Sequence, residues 1–150
     1  MATRVGFIGL GAMGKPIATN ILQAGFDLMV YDLRPEPLQE LERLGAKTAR
    51  SSRDVGEHAE VVALAVPDDA AVEAAVAGPE GVLDGAAPGT VVAVHSTVRP
   101  ATVKRLAEQA AARGVSLIDA QMSGGNAGAT ARTLCFMVGG DRESDRKSVV

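Results

Sequence analysis

The stretch Arg4–Leu22, with the sequence RVGFIGLGAMGKPIATNIL, decides the fold of this chain. Its first apolar run, VGFI, is too short for a helix and suits a strand that is buried on both faces. The run ends in GLGAMG at residues 9–14, which is a G-x-G-x-x-G motif. Met13, Ile17 and Ile21 then recur at intervals of four, as on one face of a helix. The stretch therefore predicts a strand, a glycine turn and a helix in direct succession.

This succession makes a weak glycine motif specific for dinucleotide binding. Gly9 permits a tight turn, Gly11 lets a pyrophosphate approach the backbone, and Gly14 lets the helix lie close to the strand. The free N–H groups at the helix N-terminus carry a partial positive charge that favours phosphates. An isolated motif of this kind often marks an ordinary turn. The change of period from strand to helix favours the dinucleotide-binding interpretation.

A second apolar strand, Asp27–Asp32, ends in an acidic residue about twenty positions after the glycines. An aspartate here can accept hydrogen bonds from both ribose hydroxyls of an adenosine, although it can also simply begin a turn. Because the carboxylate of Asp32 would repel the additional phosphate of NADP, NAD is the expected cofactor. Arg34 leaves NADP as an alternative, since an arginine can bind a phosphate bidentately. The simpler interpretation of Arg34 is a solvent-exposed loop cation.

Apolar and amphipathic segments alternate along the rest of the chain and predict a doubly wound, mostly parallel α/β Rossmann sheet with helices on both faces. The apolar run at residues 61–66 is expected at the centre of this sheet, because it has no polar face. The run at 134–138 is expected at an edge or in an antiparallel position. Other strands are expected at residues 47–49, 91–94 and 115–120. Helices are expected to begin near Pro35 or Pro37, Ser51, Asp69, Pro100 and Asp141, with one helical turn between residues 78 and 89.

Three further strand ends carry candidate ligand-binding residues. Val66 and Pro67 follow the fourth strand and would lie near the crevice at the carboxyl ends of the strands, unless they only end that strand. Ser96 and Thr97 lie between a strand and a helix, where hydroxyl groups cap helices as readily as they bind ligands. The segment Ser123-Gly124-Gly125 can present a hydroxyl and free N–H groups to a carboxylate, although such a segment is often a flexible turn.

Composition excludes several functional classes. A net charge of -3 indicates no basic face for nucleic acid and no cationic helix for a membrane surface. The apolar runs are far shorter than a membrane span, and the first strand begins too early for a signal peptide. A single cysteine cannot form an internal disulfide, which fits a cytoplasmic protein. We expect Cys135 to be a buried, unreactive thiol, His58 to lie at the surface, and no metal site.

Five motifs in this chain resemble the β-hydroxyacid dehydrogenase family, the group that contains 3-hydroxyisobutyrate dehydrogenase and related semialdehyde reductases. The resemblance is to the family's N-terminal NAD(P)-binding domain, which would account for residues 1–150 as one domain. The motifs are GFIGLGAMGKPIAxN, VYD, VPD, HSTVxP and DAxxSGGxxGA, in that order. The resemblance implies a pyrophosphate held by Gly9, Gly11, Ala12, Met13 and Gly14, a ribose held by Asp32, and a cofactor bordered by Val66 and Pro67. It further implies a nicotinamide near Thr97 and a substrate carboxylate bound by Ser123, Gly124 and Gly125.

The implied activity is hydride transfer between a nicotinamide and a small anionic β-hydroxyacid or semialdehyde. In the family, the proton-transferring lysine lies on a second, all-helical domain that would follow Val150, so no catalytic residue is expected within this chain. Homo-oligomers are expected only through that second domain. The chain has Gln121-Met122 where the family usually has Pro-Val, and this departure leaves the substrate open. The alternatives are a non-catalytic NAD(P)-binding module, a truncated remnant, and a related imine-type reductase.

Overall fold

A computed structural model describes residues 1–148, which form seven strands and eight helices. The strands are β1 (Arg4–Ile8), β2 (Asp27–Tyr31), β3 (Lys47–Thr48), β4 (Val61–Leu64), β5 (Val91–Val94), β6 (Ser116–Ser123) and β7 (Cys135–Gly139). The helices are α1 (Gly14–Gln23), α2 (Pro35–Arg43), α3 (Ser52–His58), α4 (Asp69–Ala77), α5 (Val82–Gly85), α6 (Pro100–Ala111), α7 (Gly125–Ala131) and α8 (Arg142–Ser148).

The strands form one sheet in the order β3-β2-β1-β4-β5-β6-β7. The first six run parallel, and β7 pairs antiparallel with β6. This topology confirms the predicted doubly wound sheet and the predicted position of the last strand. β4 lies at the centre between β1 and β5, and all four of its residues are buried. The apolar run that predicted this strand therefore reflects burial on both faces.

Helices cover both faces of the sheet. On one face, Ala18 of α1 and Leu41 of α2 pack against β1 and β2. On the opposite face, Val55 of α3, Val72 of α4 and Leu106 of α6 pack against β4 and β5. None of the helices within residues 1–148 is long and apolar enough to cross a membrane.

The parallel strands place most of the candidate residues at one edge of the sheet. Because β1, β2, β4, β5 and β6 point the same way, their carboxyl ends lie side by side. The segments at these ends are 9–14, 32–34, 65–67, 95–97 and 123–125. The fold thus assembles five short segments that are far apart in the sequence.

The chain after residue 120 differs from the prediction. β6 was expected to end at Ala120 but continues to Ser123, because residues 119–123 pair with β7. The expected turn at Gly124 and Gly125 leads directly into α7, a helix that the sequence did not predict. Its residues GNAGATA lack the large apolar side chains that mark one face of a helix. The predicted C-terminal helix is observed as α8, and Val149 and Val150 lie outside the described residues.

Two expectations about individual side chains are wrong. Cys135 is exposed, because it lies on β7, an edge strand whose five residues are all exposed. The side chain of His58 is only 12% exposed, because the end of α3 packs near the start of β2. Its Nε2 atom lies 3.3 Å from the carbonyl oxygen of Asp27 and 3.6 Å from the Asp27 carboxylate.

Candidate functional site

The glycine turn between β1 and α1 leaves an open space for a ligand. Gly9 has a φ of +91°, and a Cβ atom there or at Gly14 would clash with backbone carbonyl oxygens. These two glycines are therefore required by the close packing of the turn. A Cβ atom at Gly11 would meet no other atom within 4 Å. The space beside Gly11 fits the pyrophosphate that the motif predicts.

Asp32 lies directly after β2 and is bound to this turn. Its Oδ2 atom accepts a hydrogen bond of 2.7 Å from the backbone N–H of Leu10. Its Oδ1 atom accepts one of 2.8 Å from the backbone N–H of Arg34. Burial alone would raise the pKa of Asp32, but hydrogen bonds from Arg34 and Leu10 outweigh it and hold the pKa below its usual range. Asp32 is therefore ionised at neutral pH.

The side chain of Arg34 folds back onto Asp32. Its Nε and Nη2 atoms donate hydrogen bonds of 3.1 and 3.2 Å to the two carboxylate oxygens of Asp32. The same Nη2 atom also lies 3.3 Å from the carbonyl oxygen of Leu10. With the two backbone donors, the Asp32 carboxylate accepts four hydrogen bonds, which is about its full capacity. The Arg34 side chain remains 59% exposed and free to move on one side.

Two polar side chains, Ser96 and Asp69, accept hydrogen bonds that join the segment after β4 to the segment after β5. The hydroxyl oxygen of Ser96, which is buried, accepts a hydrogen bond of 2.9 Å from the backbone N–H of Val66. The Asp69 carboxylate accepts hydrogen bonds of 2.6 Å from the Thr102 hydroxyl and 3.2 Å from the backbone N–H of Arg99. Ser96 therefore joins two loops instead of capping a helix. Nothing in the sequence pattern around Asp69 indicated this role, beyond its position at a helix start.

Pro67 and Thr97 are exposed beside these joined loops. His95, two residues before Thr97, is largely buried between Phe7 and Phe136, with its ring centroid 6.4 and 5.2 Å from theirs. Its Nδ1 atom donates a hydrogen bond of 2.8 Å to the carbonyl oxygen of Ala120, since a carbonyl can only accept. Burial lowers the pKa of His95 despite this hydrogen bond, so the ring is neutral. We interpret His95 as a brace between β5 and β6.

The segment Ser123-Gly124-Gly125 lies close to the glycine turn. Gly124 and Gly125 have φ angles of +132° and +62°, and all three residues are exposed. The next residue, Asn126, donates a hydrogen bond from Nδ2 to the backbone carbonyl of Ala12. The structure thus brings the predicted substrate segment beside the predicted pyrophosphate segment. Sequence reasoning missed Asn126, because nothing in its local pattern distinguishes it from an exposed helix residue.

An open groove of about 470 Å³ lies between α1, α2 and α7. It shares Gly11 and Ala12 with the glycine turn, but Asp32 and Thr97 do not line it. The groove therefore adjoins the crevice at the glycine turn but does not extend to Asp32 or Thr97. Among residues 1–148, no group of three or more His, Cys, Asp or Glu side chains is placed to hold a metal ion.

Comparison with known proteins identifies this arrangement. The family model described as the NAD binding domain of 6-phosphogluconate dehydrogenase matches residues 4–148. The chain belongs to this family. The chain is 44% identical over 145 residues to the NAD-dependent L-serine dehydrogenase of Pseudomonas aeruginosa, a match that covers 97% of this chain and 49% of the relative. It is 43% identical to the 3-hydroxyisobutyrate dehydrogenase of the same bacterium, with 94% and 47% covered.

Solved structures agree with these relatives. A Mycobacterium tuberculosis 3-hydroxyisobutyrate dehydrogenase, solved with L-serine, superposes with a TM-score of 0.89 at 32% identity. The match covers 99% of this chain and 50% of that structure. An imine reductase from a Pseudomonas species reaches a TM-score of 0.84 at 22% identity, which shows a shared fold alone. The resemblance to the NAD-binding domain of the β-hydroxyacid dehydrogenases is confirmed, and the chain spans about half the length of the curated relatives it matches.

Proposed function

We propose that this chain is the cofactor-binding half of an NAD-dependent dehydrogenase that acts on small β-hydroxyacids or their semialdehydes. The observation that carries the proposal is the hydrogen bond of 2.7 Å between the Asp32 carboxylate and the backbone N–H of Leu10. This bond connects the predicted ribose-binding residue to the predicted pyrophosphate-binding turn. The bond supports the proposal that both segments line one dinucleotide-binding crevice.

Each candidate residue has a role in this proposal. Bound NAD would supply the nicotinamide that accepts or returns a hydride. The turn residues Gly9, Gly11, Ala12, Met13 and Gly14 would hold the pyrophosphate, and Val66, Pro67 and Thr97 would border the nicotinamide half. Ser123, Gly124 and Gly125 would bind the substrate carboxylate through a hydroxyl and backbone N–H groups. This placement would hold the substrate next to the cofactor that shares the crevice.

The contacts of Arg34 bear on the choice between NAD and NADP. Because Asp32 already accepts about four hydrogen bonds, ribose hydroxyls can bond to it only when the Arg34 side chain moves away. Arg34 therefore competes with the ribose of NAD. The 2'-phosphate of NADP would instead attract Arg34 and be repelled by Asp32. We propose NAD as the cofactor, with NADP as the alternative that Arg34 would support.

Calorimetric titration of the chain with NAD⁺ and NADP⁺ tests this proposal. Arg34→Ala should bind NAD⁺ about tenfold more tightly, because a competing charged hydrogen bond is removed. Asp32→Asn should weaken NAD⁺ binding and improve the relative binding of NADP⁺. Arg50→Ala is a matched control, since the Arg50 side chain is 97% exposed and its ion pair is with Asp54, not with Asp32. Absence of NAD⁺ binding, or an unchanged NAD⁺ to NADP⁺ ratio in both variants, would contradict the assignment.

Catalytic turnover is expected to be weak in the chain by itself. Of its four lysines, Lys15 pairs with Glu40 and Lys47 with Asp27, and none occupies a motif like that of the family's catalytic lysine. Loss of acid–base assistance lowers rates by about 10²- to 10⁴-fold. We expect NADH formation with L-serine or 3-hydroxyisobutyrate to stay near background, and robust turnover would overturn this view. We further propose a cytoplasmic location, consistent with a single cysteine, and oligomers that require more than this domain.

A further inference from the structure

We propose that Asn126 is a positioning residue that couples the glycine turn after β1 to the Ser123-Gly124-Gly125 segment after β6. The inference rests on the proposed function, because it assigns a role to a contact between two proposed binding segments. Asn126 lies in the first turn of α7, directly after the glycines that would bind the substrate carboxylate. Its Nδ2 atom donates a hydrogen bond to the backbone carbonyl of Ala12, within the turn that would bind the pyrophosphate. One side chain therefore connects the two segments.

The contact belongs to a well-defined interface between α1 and α7. Asn20 of α1 donates a hydrogen bond of 2.7 Å from Nδ2 to the carbonyl oxygen of Ala129 in α7. Arg132, which follows α7, donates one of 3.2 Å from Nε to Oδ1 of Asn20. Ala129, whose carbonyl oxygen accepts the bond from Asn20, is itself buried. α7 is thus held against α1 near its end as well as at its beginning.

Both turns have a loosely packed part, at residues 11–12 in the first turn and at Gly125 in the second. A Cβ atom at Gly11 or at Gly125 would meet no atom within 4 Å, and Ala12 and Gly124 are exposed. A ligand that orders one turn would therefore also order the other turn through the Asn126 contact. A first ligand that restricts motion in this way makes binding of a second ligand more favourable. Binding of NAD⁺ at the glycine turn is thereby coupled to the conformation of the substrate segment.

Hydrogen exchange of the α7 backbone amides measures this coupling without requiring turnover. The reporters are the amides of residues 128–131, because this part of α7 contacts Asn20 of α1 and the amide of Gly128 donates a hydrogen bond to the carbonyl oxygen of Gly124. In the unmodified chain, saturating NAD⁺ should slow their exchange by about 5- to 150-fold, the usual range for coupled sites. In Asn126→Ala, NAD⁺ should leave their exchange unchanged.

Two further variants separate coupling from general loosening of the interface. Asn126→Gln keeps an amide donor and should restore part of the NAD⁺-dependent protection. Asn20→Ala removes the hydrogen bonds to Ala129 and from Arg132 at the same interface, and neither of these bonds involves the glycine turn. It should raise exchange in the free chain while keeping the slowing caused by NAD⁺.

The possible results distinguish the inference from the proposed function. If calorimetry shows no NAD⁺ binding by the unmodified chain, the proposed function fails and the coupling fails with it. If NAD⁺ binds but does not slow exchange in α7, only the role of Asn126 is overturned. Equal loss of the NAD⁺ effect in Asn20→Ala and Asn126→Ala would also overturn it, because the interface as a whole would then be responsible.

Discussion

Two turns of this molecule share a local pattern but differ in the support they receive. The glycine turn at residues 9–13 follows a strand with four buried residues and precedes a ten-residue helix. The turn at residues 123–125 precedes a seven-residue helix and lies beside β7, in which every residue is exposed. A glycine-rich sequence therefore indicates only which ligands a turn can bind. How firmly the turn is held depends on the strands and helices around it.

Two carboxylates show the same difference. Asp32, beside the first turn, accepts hydrogen bonds from Leu10 and Arg34, and these lower its pKa despite burial. Asp119, on β6 before the second turn, has a buried Oδ1 atom with no hydrogen-bond partner among residues 1–148. Burial therefore raises the pKa of Asp119. The carboxylate beside the first turn is therefore fully hydrogen-bonded, whereas one buried carboxylate oxygen before the second turn has no hydrogen-bond partner among residues 1–148.

The largest expected effect is the loss of stability when a glycine at the first turn is replaced by alanine, which should exceed the loss for a glycine of the second turn. Gly14→Ala should destabilise the chain by about 3 kcal/mol, because the added methyl group would clash with the carbonyl oxygen of Gly9. Gly125→Ala adds a methyl group to open space at a φ of +62° and should cost only about 1 kcal/mol of backbone strain. Urea unfolding of both variants measures the difference. Equal loss of stability would show that the two turns are packed alike.

A second prediction concerns the pH dependence of the two carboxylates. Asp119→Asn should stabilise the chain at pH 7 by about 1 kcal/mol, because it removes a charge whose buried Oδ1 atom has no hydrogen-bond partner in the described part of the chain. Since the folded pKa of Asp119 is raised, its penalty is absent below the ordinary value of 3.8 and grows as the pH rises through the folded pKa.

Asp32→Asn should have the opposite effect on the stability of the chain. The folded pKa of Asp32 is lowered, so its contribution is present above the ordinary value and is lost as the pH falls through the folded pKa. This variant should be less stable than the unmodified chain at pH 7, and the difference should shrink in acid. Thermal unfolding from pH 3 to pH 8 distinguishes the two signs. If both variants changed the stability at pH 7 in the same direction, the contrast between the two carboxylates would be refuted.

A smaller effect is expected at the end of α7. Arg132 adopts a left-handed conformation, with a φ of 61°, and its side chain contacts Asn20 and Gln23. Arg132→Ala would lose these contacts and keep the strain, whereas Arg132→Gly would lose the contacts but relieve the strain. The glycine variant should therefore be more stable than the alanine variant by about 1 kcal/mol. Chemical denaturation of the pair measures this, and an alanine variant at least as stable would argue against strain.

The smallest effect on stability should be at the exposed strand β7. Phe136, Met137 and Val138 are 43%, 55% and 42% exposed, and no charged residue lies in this strand. Such an edge promotes non-specific pairing between chains, so we expect aggregation at high concentration, as distinct from a defined oligomer. Met137→Lys should reduce this aggregation, as measured by sedimentation velocity, while changing stability by only about 0.5 kcal/mol. Ala112→Lys adds the same charge elsewhere, and equal reduction by both variants would exclude β7 as the contact.

Most of the fold could be predicted because the first five strands and their helices have strong periodic patterns. The apolar run VVAL predicted the central strand, and Pro100 and Gly114 predicted the limits of the region that contains α6. The region after Ala120 could not be predicted equally well. The extension of β6 depends on pairing with β7, and α7 is short and rich in small residues. Neither feature leaves a local periodic signal.

The positions of the candidate site residues in the fold could also be predicted from the sequence, but their contacts could not. The sequence placed Asp32 at the end of a strand, while only the structure shows that Arg34 occupies its carboxylate. Ser96 was expected to cap a helix or bind a ligand, and it instead accepts a hydrogen bond from Val66. The assignment of these residues to cofactor and substrate stays a prediction.

The sequence by itself determined the strand-turn-helix unit at the N-terminus, the alternating α/β pattern and the family. These properties depend on local chemistry: glycine where backbone atoms approach closely, apolar residues at regular intervals, and an acidic residue after the second strand. The tertiary structure decided which side chains meet, including the contact of Asn126 with Ala12 and the unpaired carboxylate oxygen of Asp119. Contacts between residues more than a hundred positions apart depend on how helices and strands pack, and no local pattern encodes them.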